Sequence, residues 1–310
     1  MRVAVIGAGA MAREHIRAFR DIPGVEVAGV HSRTRARAET VAREFGIRVV
    51  GDSIDALYAE TQAELVVVAV SVAQTSPVCH AVFAHPWTSL IEKPAGLNVA
   101  EAEELLSVAR QRGRRACVAL NRRHLSSTQS VVAGLAESSD TRLIHVQDQE
   151  DLVAARRAGH PEDVVDNWMY ANAIHCVDLL RVFGRGEVLA VERIVPWQRE
   201  EPQFVVANVR FSSGDVGLYQ AVWNGPGPWA VTVTTQATRW EMRPIEQAAL
   251  QRAGSRVLEP VETADWDRQF KPGFRHQAQE AVRAARGEAH GLCSLEDALV
   301  TMRLVESIYA

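Results

Sequence analysis

Val3-Ala4-Val5-Ile6-Gly7-Ala8-Gly9-Ala10-Met11-Ala12 is the stretch that decides the fold of this chain. Its four leading apolar residues read as a buried parallel strand, and Met11 to Arg20 reads as the helix that follows. The residues between have separate tasks. Gly7 permits a tight turn, Gly9 lets the backbone approach a bound diphosphate, and Ala12 is small enough for helix to pack on strand. The helix start at Ala10 and Met11 offers free N–H groups and a positive dipole end to phosphate. Glycines alone would predict only a turn; set between a strand and a helix they predict a dinucleotide site.

Outward from that turn, strand-like and helix-like runs alternate to residue 120. Strands are read at 2–6, 25–30, 48–50, 65–70, 88–91 and 116–120, and Asn98 with Glu101 caps a helix over 99–112. This alternation predicts a doubly wound parallel sheet of the Rossmann type. Beyond Asn121 the pattern changes. Residues 125–135 and 167–183 read as helices, and 143–148, 187–195, 204–211, 216–223, 229–236 and 238–242 as strands. Alternation such as Val231-Thr232-Val233-Thr234 marks antiparallel strands with one covered face. Gly225-Pro226-Gly227-Pro228 reads as a hairpin turn, with a loop at a substrate mouth as the other reading. Pro272 opens a helix that ends near Gly287, and Ser294 with Asp297 caps a last helix to Tyr309. The expected domains are 1–120, dinucleotide-binding, and 121–310, an α+β substrate-binding and oligomerisation domain with a large open sheet. The final helix, 294–309, is free to pack back on the first domain.

The composition narrows the class. The chain has 310 residues, 47% of them hydrophobic, and a net charge of −4. That length allows two cores, and the charge argues against a nucleic-acid partner. No apolar run is long enough to span a membrane, and the N-terminus lacks the features of a signal peptide. The cysteines Cys79, Cys117, Cys176 and Cys293 are widely spaced, which fits a reducing cytoplasm and not a disulfide framework. His15, His31, His80, His85 and His145 have no metal-ligand spacing, so no metal is expected.

Glu92-Lys93-Pro94 closes the strand that ends Leu90-Ile91. Ligands of open α/β sheets sit at the carboxyl ends of the strands. A lysine there can take or give a hydroxyl proton when burial or a nearby cation lowers its pKa, and its charged form stabilises an alkoxide. The end of the second strand reads His31-Ser32-Arg33-Thr34. It lacks the acidic residue that holds the ribose 2′-hydroxyl of NAD. Ser32 and Arg33, with Thr34 and Arg37, suit the 2′-phosphate of NADP. If Arg33 instead stacks on adenine, both cofactors bind.

Together these pieces resemble the Gfo/Idh/MocA oxidoreductases. The matching residues are 7–12, Glu92-Lys93-Pro94, Asn121-Arg122-Arg123, His175-Cys176-Val177-Asp178 and Gly273-Phe274-Arg275-His276-Gln277. The resemblance implies an NAD(P)-dependent enzyme that acts on a carbohydrate-like substrate: a sugar, sugar acid, nucleotide sugar or cyclitol. It implies two domains, the open sheet face joining a homodimer or homotetramer, and a Lys93-Pro94 bond that is cis as in related proteins. It lifts His175 from a core histidine to a proton relay beside Lys93. Ser71 and Glu92 join Lys93 at the cofactor, and Asn121, Arg123, Trp168 and Asn172 join Lys93 and His175 at the substrate. Trp168, Asn172, His175 and Leu179 share one helical face. Arg123 suits a substrate carboxylate or phosphate, or a packed domain interface; Asp178 orients His175 or serves a structural contact. Many relatives carry an aspartate four residues before this histidine. Here Ala171 stands there with Asn172 beside it, so Asn172→Asp is expected to be tolerated. That departure leaves two alternatives open: reduction of an imine or other unsaturated group, and NAD(P) binding without turnover.

Overall fold

The computed structural model describes residues 1–310. They form two compact units, Met1–Asn121 with Trp266–Leu299, and Arg122–Asp265 with Val300–Ala310.

The first unit begins with β1 (Arg2–Ile6), α1 (Ala10–Arg20), β2 (Glu26–His31), α2 (Arg35–Phe45) and β3 (Val49–Val50). It continues through α3 (Ile54–Thr61), β4 (Leu65–Val68), α4 (Val72–Val82), β5 (Thr88–Ile91), α5 (Val99–Gln111) and β6 (Ala116–Val118). These strands pair in parallel in the order β6-β5-β4-β1-β2-β3. The order reverses between β1 and β4, the switch point where such sheets bind ligands. β1 and β4 are apolar because helices cover both faces of the sheet. On α1 the buried residues Ala12, His15, Ile16 and Phe19 follow helical spacing.

The second unit opens with a 3-10 turn at Asn121–His124 and α6 (Ser126–Leu135). Then come β7 (Leu143–Glu150), α7 (Leu152–Arg157) and α8 (Glu162–Asp166). A π-helical turn at Met169–Ala173 leads into α9 (Ile174–Phe183). The remaining strands are β8 (Val188–Val195), β9 (Phe204–Phe211), β10 (Val216–Trp223), β11 (Ala230–Thr234), β12 (Thr238–Met242), β13 (Ala248–Arg252) and β14 (Glu259–Val261). They form one sheet in the order β14-β13-β12-β11-β7-β10-β9-β8, antiparallel except for the β7–β10 pair. α9 packs on the face of β7 that carries Ile144 and Val146. The sequence reading lacked β13, β14, α7 and α8.

The order β11-β7-β10 corrects the hairpin expected around Gly225-Pro226-Gly227-Pro228. β10 and β11 are not partners; β7 lies between them. The segment therefore crosses over the carboxyl end of β7, where Asn224 N–H donates to the Glu150 carbonyl at 2.7 Å and Gln149 Nε2 to the Gly225 carbonyl at 3.0 Å. Glycine and proline mark a change of direction; they do not say which strand lies on the far side.

The chain then returns to the first unit. After α10 (Asp265–Gln269), α11 (Phe274–Ala285) packs on α1 and adds Phe274, Ala278, Ala281 and Val282 to the Rossmann core. β15 (Cys293–Ser294) pairs antiparallel with β6, and α12 (Leu295–Tyr309) follows. Ser294 Oγ accepts from Asp297 N–H at 3.0 Å, the cap read from sequence. The sequence reading gave 266–293 to the second domain. An amphipathic helix declares that it buries a face, not against which partner.

Candidate active site

In the first unit, backbone bonds tie the strand ends into one rim. Gly7 N–H donates to the His31 carbonyl at 2.8 Å, Ala69 N–H to Ile6 at 2.7 Å, and Glu92 N–H to Val68 at 2.8 Å. Gly7 has φ +125°, and a Cβ there would lie 2.0 Å from the Ala69 carbonyl oxygen. Gly9 is the N-cap of α1, and a Cβ on it would meet nothing within 4 Å. No side chain caps this helix, and its first turn holds no acidic residue. The residues present thus fit a dinucleotide diphosphate: open space at Gly9, and N–H donors at Ala10 and Met11 not claimed by a cap.

Ser71 is the exposed N-cap of α4, just beyond β4, and Glu92 and half-buried Lys93 follow β5. Gly7, Gly9, Ser71, Glu92 and Lys93 therefore meet at the carboxyl ends of the adjacent strands β1, β4 and β5. The Lys93-Pro94 bond is cis, as expected. Glu92 Oε1 lies 2.8 Å from Nε2 of buried His15, whose ring packs on Phe274 at 4.7 Å. Ser32, Arg33, Thr34 and Arg37 lie at the β2–α2 junction. Arg33 and Arg37 are exposed and no ion pair holds either, whereas Arg35 is tied to Glu39 and Asp52. Asn121 is buried at the end of the unit. Its Nδ2 donates to the Pro272 carbonyl at 2.9 Å, and Gly273, φ +81°, packs on its backbone.

In the second unit, a cleft of about 550 Å³ is lined by Gln149, Glu150, His160, Trp168, Asn172 and Trp229, among others. Trp168 and Asn172 stand together here because the π turn begins between them and keeps both facing β7. Trp168 Nε1 donates to Glu150 Oε2 at 2.6 Å, and Asn172 Nδ2 donates to the same oxygen at 2.8 Å. A π turn of this kind is often found at functional sites. His175 is buried on α9, its ring centre 6.2 Å from that of Trp229. The Arg122 guanidinium lies over the same Trp229 ring at 5.4 Å, and Trp229 Nε1 donates to the Gln149 carbonyl at 2.9 Å.

Arg123 makes two 2.7 Å bonds to Asp178, whose Oδ1 also accepts from Thr301 Oγ1 at 2.7 Å. Asp178 thus has a structural contact, and the Arg123 fork is engaged within its own unit. The residue that sequence reasoning missed is Glu150. The 143–148 strand was read to stop at Asp148, because Gln149, Glu150 and Asp151 form a polar run that resembles a loop. A signal was available: continued alternation puts Glu150 in the covered row after Ile144, Val146 and Asp148. Burial, with Asp148 next to it, pushes the Glu150 carboxyl well above the usual carboxylate range.

A glycine turn into an uncapped helix, set at the switch point of a parallel sheet, defines a dinucleotide-binding Rossmann domain. Residues 1–120 match the Gfo/Idh/MocA oxidoreductase family, NAD-binding Rossmann fold. Over 205 residues the chain is 26% identical to 4-carboxy-2-hydroxymuconate-6-semialdehyde dehydrogenase of Sphingobium sp., covering 63% of this chain and 62% of that one. It is 30% identical over 115 residues to trans-1,2-dihydrobenzene-1,2-diol dehydrogenase of Mus musculus, covering 36% of this chain and 34% of that one. These matches span less than two thirds of either relative. Among solved structures, UDP-N-acetylglucosamine 3-dehydrogenase from Acidithiobacillus ferrooxidans superposes with a TM-score of 0.81 at 19% identity, covering 99% of this chain and 96% of that one. A dehydrogenase from Chromobacterium violaceum does so with a TM-score of 0.83 at 17% identity, covering 99% and 94%. Both likenesses establish the fold: a Rossmann domain followed by a mostly antiparallel sheet domain.

Proposed function

We propose that this chain is an NAD(P)-dependent dehydrogenase or reductase, with Lys93 and His175 handling the proton. The observation that carries it is the uncapped start of α1 behind Gly7, on the same rim as Lys93. The cofactor supplies or takes hydride, and the protein's residues hold the substrate oxygen and its proton. Ser32, Arg33, Thr34 and Arg37 favour NADP: two free guanidinium groups stand where a 2′-phosphate would sit, and no acid stands where a 2′-hydroxyl would need one.

A carbohydrate-like substrate is supported by the cleft itself. Aromatic walls from Trp168 and Trp229 meet polar groups from Asn172 and Gln149, a mixture that suits a ring carrying hydroxyls. A second reading keeps the cofactor and takes a substrate derived from an aromatic ring. It is favoured by the same tryptophans and by the relative named for a dihydrobenzenediol. The exposed face of the large sheet joins copies of the chain, and the enzyme works in the cytoplasm.

The test is Lys93→Met, read against a panel of sugars, sugar acids, nucleotide sugars, cyclitols and cyclic diols. Cofactor affinity is expected to stay within about threefold, while kcat falls by about 10²–10⁴, the usual loss for an acid–base group. Turnover within about threefold of wild type removes Lys93 from the chemistry.

A further inference from the structure

Asp148 and Glu150 occupy positions on the covered face of β7 where apolar side chains would pack, and each is 1% exposed. No cation pairs with either. They stand two residues apart in the same buried row of β7. Asp148 Oδ2 accepts from the Tyr219 hydroxyl at 2.6 Å, and Glu150 Oε2 takes the Trp168 and Asn172 donors described above. The second oxygens, Asp148 Oδ1 and Glu150 Oε1, are buried without a nitrogen or oxygen donor. One proton held between the two acids satisfies both. Two bare carboxylates side by side in this interior would be far costlier. The Tyr219 hydroxyl also lies 2.8 Å from the Tyr309 hydroxyl, in the last turn of α12. The result is a row of acids and phenols from the cleft wall to Tyr309, with the Asp148–Tyr219 and Tyr219–Tyr309 links bonded in place.

We propose that Glu150, Asp148, Tyr219 and Tyr309 form a proton relay, storing one proton on the carboxyl pair and passing it between the cleft and the Tyr309 end. Its use in turnover rests on the oxidoreductase reading; the stored proton does not. Oxidation of an alcohol carbon passes hydride from carbon to NAD(P)+ and breaks the O–H bond, leaving one proton in the cleft. The carboxyl pair takes that proton from Lys93 or His175. Asp148 gives one to the Tyr219 oxygen as that hydroxyl turns from Asp148 to donate to Tyr309, and Tyr309 in turn releases its own proton at its 7% exposed edge. Reduction of the carbonyl runs the same sequence backwards, so hydride and proton both return to the substrate.

The surroundings suit this task. Burial pushes both carboxyls up, Glu150 further because it also faces Asp148. Burial likewise holds Tyr219 and Tyr309 far above the usual phenol range, so the tyrosines pass a proton by taking one and giving another, not by ionising. The other groups around the pair are Cys176 of α9, kept protonated by burial, and Arg122, which acts on that thiol from the 3-10 turn. His175 neighbours Cys176 on α9, and Asp151 and His160 line the cleft.

Infrared spectroscopy of the full chain without cofactor tests the store. At neutral pH a protonated-carboxyl stretch is expected, lost in Glu150→Gln; its absence from the wild type overturns the store, as does its persistence in both Glu150→Gln and Asp148→Asn. Transfer to D2O tests the path. Tyr219→Phe is expected to slow the deuterium shift of that band about tenfold or more, and an unchanged rate overturns the relay. In turnover, Tyr219→Phe is expected to lower kcat about tenfold at unchanged KM and to raise the solvent isotope effect; wild-type values for both overturn its catalytic use. If no substrate of the panel turns over while both infrared results hold, the enzyme reading fails and the relay stands.

Discussion

Alanine at position 7 combines two faults: a φ of +125° and a Cβ 2.0 Å from the Ala69 carbonyl oxygen. The carbonyl cannot step aside easily, because Ala69 N–H is bonded to Ile6 at the end of the neighbouring strand. Gly7→Ala is expected to cost about 1–3 kcal/mol in backbone strain and to weaken NAD(P)H binding at least about tenfold. Calorimetry and cofactor fluorescence read the two effects, and wild-type affinity would move the diphosphate elsewhere. Arg33 is the opposite case, an exposed side chain that nothing in the fold requires. A charge-assisted bond to phosphate contributes about 1.5–3 kcal/mol, so NADPH should bind about tenfold more tightly than NADH, and Arg33→Ala should close that gap without changing the melting temperature. Equal affinities in the wild type would defeat the assignment.

Elements were legible from sequence where their period was unbroken. The β1 turn, the α1 face and the alternating strands of the second unit all follow from which residues need covering. What the period cannot give is the partner: hence the crossover of residues 224–229 over β7, and the packing of α11 on α1. Nor does it give local departures from regular geometry. The π turn at Met169–Ala173 and the extension of β7 to Glu150 together decide what Asn172 does. Read as one face of an ideal helix, Asn172 looked free to accept a carboxylate. The structure reverses that expectation, because its amide donates to Glu150 at 2.8 Å. Asn172→Asp adds a third acid to a buried pair that has no cation. The new carboxyl must either stay protonated or repel Glu150, so its folded pKa lies above its unfolded value. For an acid shifted upward the penalty is present above the unfolded pKa and vanishes below it. The variant is therefore expected to lose about 2–4 kcal/mol at neutral pH, a deficit that shrinks as the pH falls toward 4. Denaturant melts at several pH values check this; a deficit that is absent, or constant with pH, would mean the amide's donation to Glu150 is not what matters.

At the scale of the whole molecule, the sheet of the second unit has one face covered and one not. β9 and β10 alternate strictly, with Val205, Ala207, Val209, Tyr219 and Ala221 buried. The other face carries Phe204 at 55% exposure opposite Val222, and Val206 opposite Gln220. The edge strand β8 adds Leu189 at 67% and Ile194 at 57% exposure. Single exposed apolar residues need no explanation, but a row of them beside an edge strand does. Eight strands spaced about 4.8 Å apart give a face of roughly 800 Å², comparable with what each partner contributes to a stable interface. Two such faces packed together would bury Phe204 and leave the covered side of each sheet undisturbed. The expected outcome is that the wild-type chain sediments as a dimer or tetramer at micromolar concentration, and that Phe204→Glu with Ile194→Glu sediments as a folded monomer. Because Phe204 and Ile194 belong to the second unit and the cofactor rim is built from the first, cofactor affinity per chain should be unchanged in the variant. A wild type that sediments as a monomer would leave this face without its proposed partner, and an oligomer that survives both substitutions would place the interface on another surface.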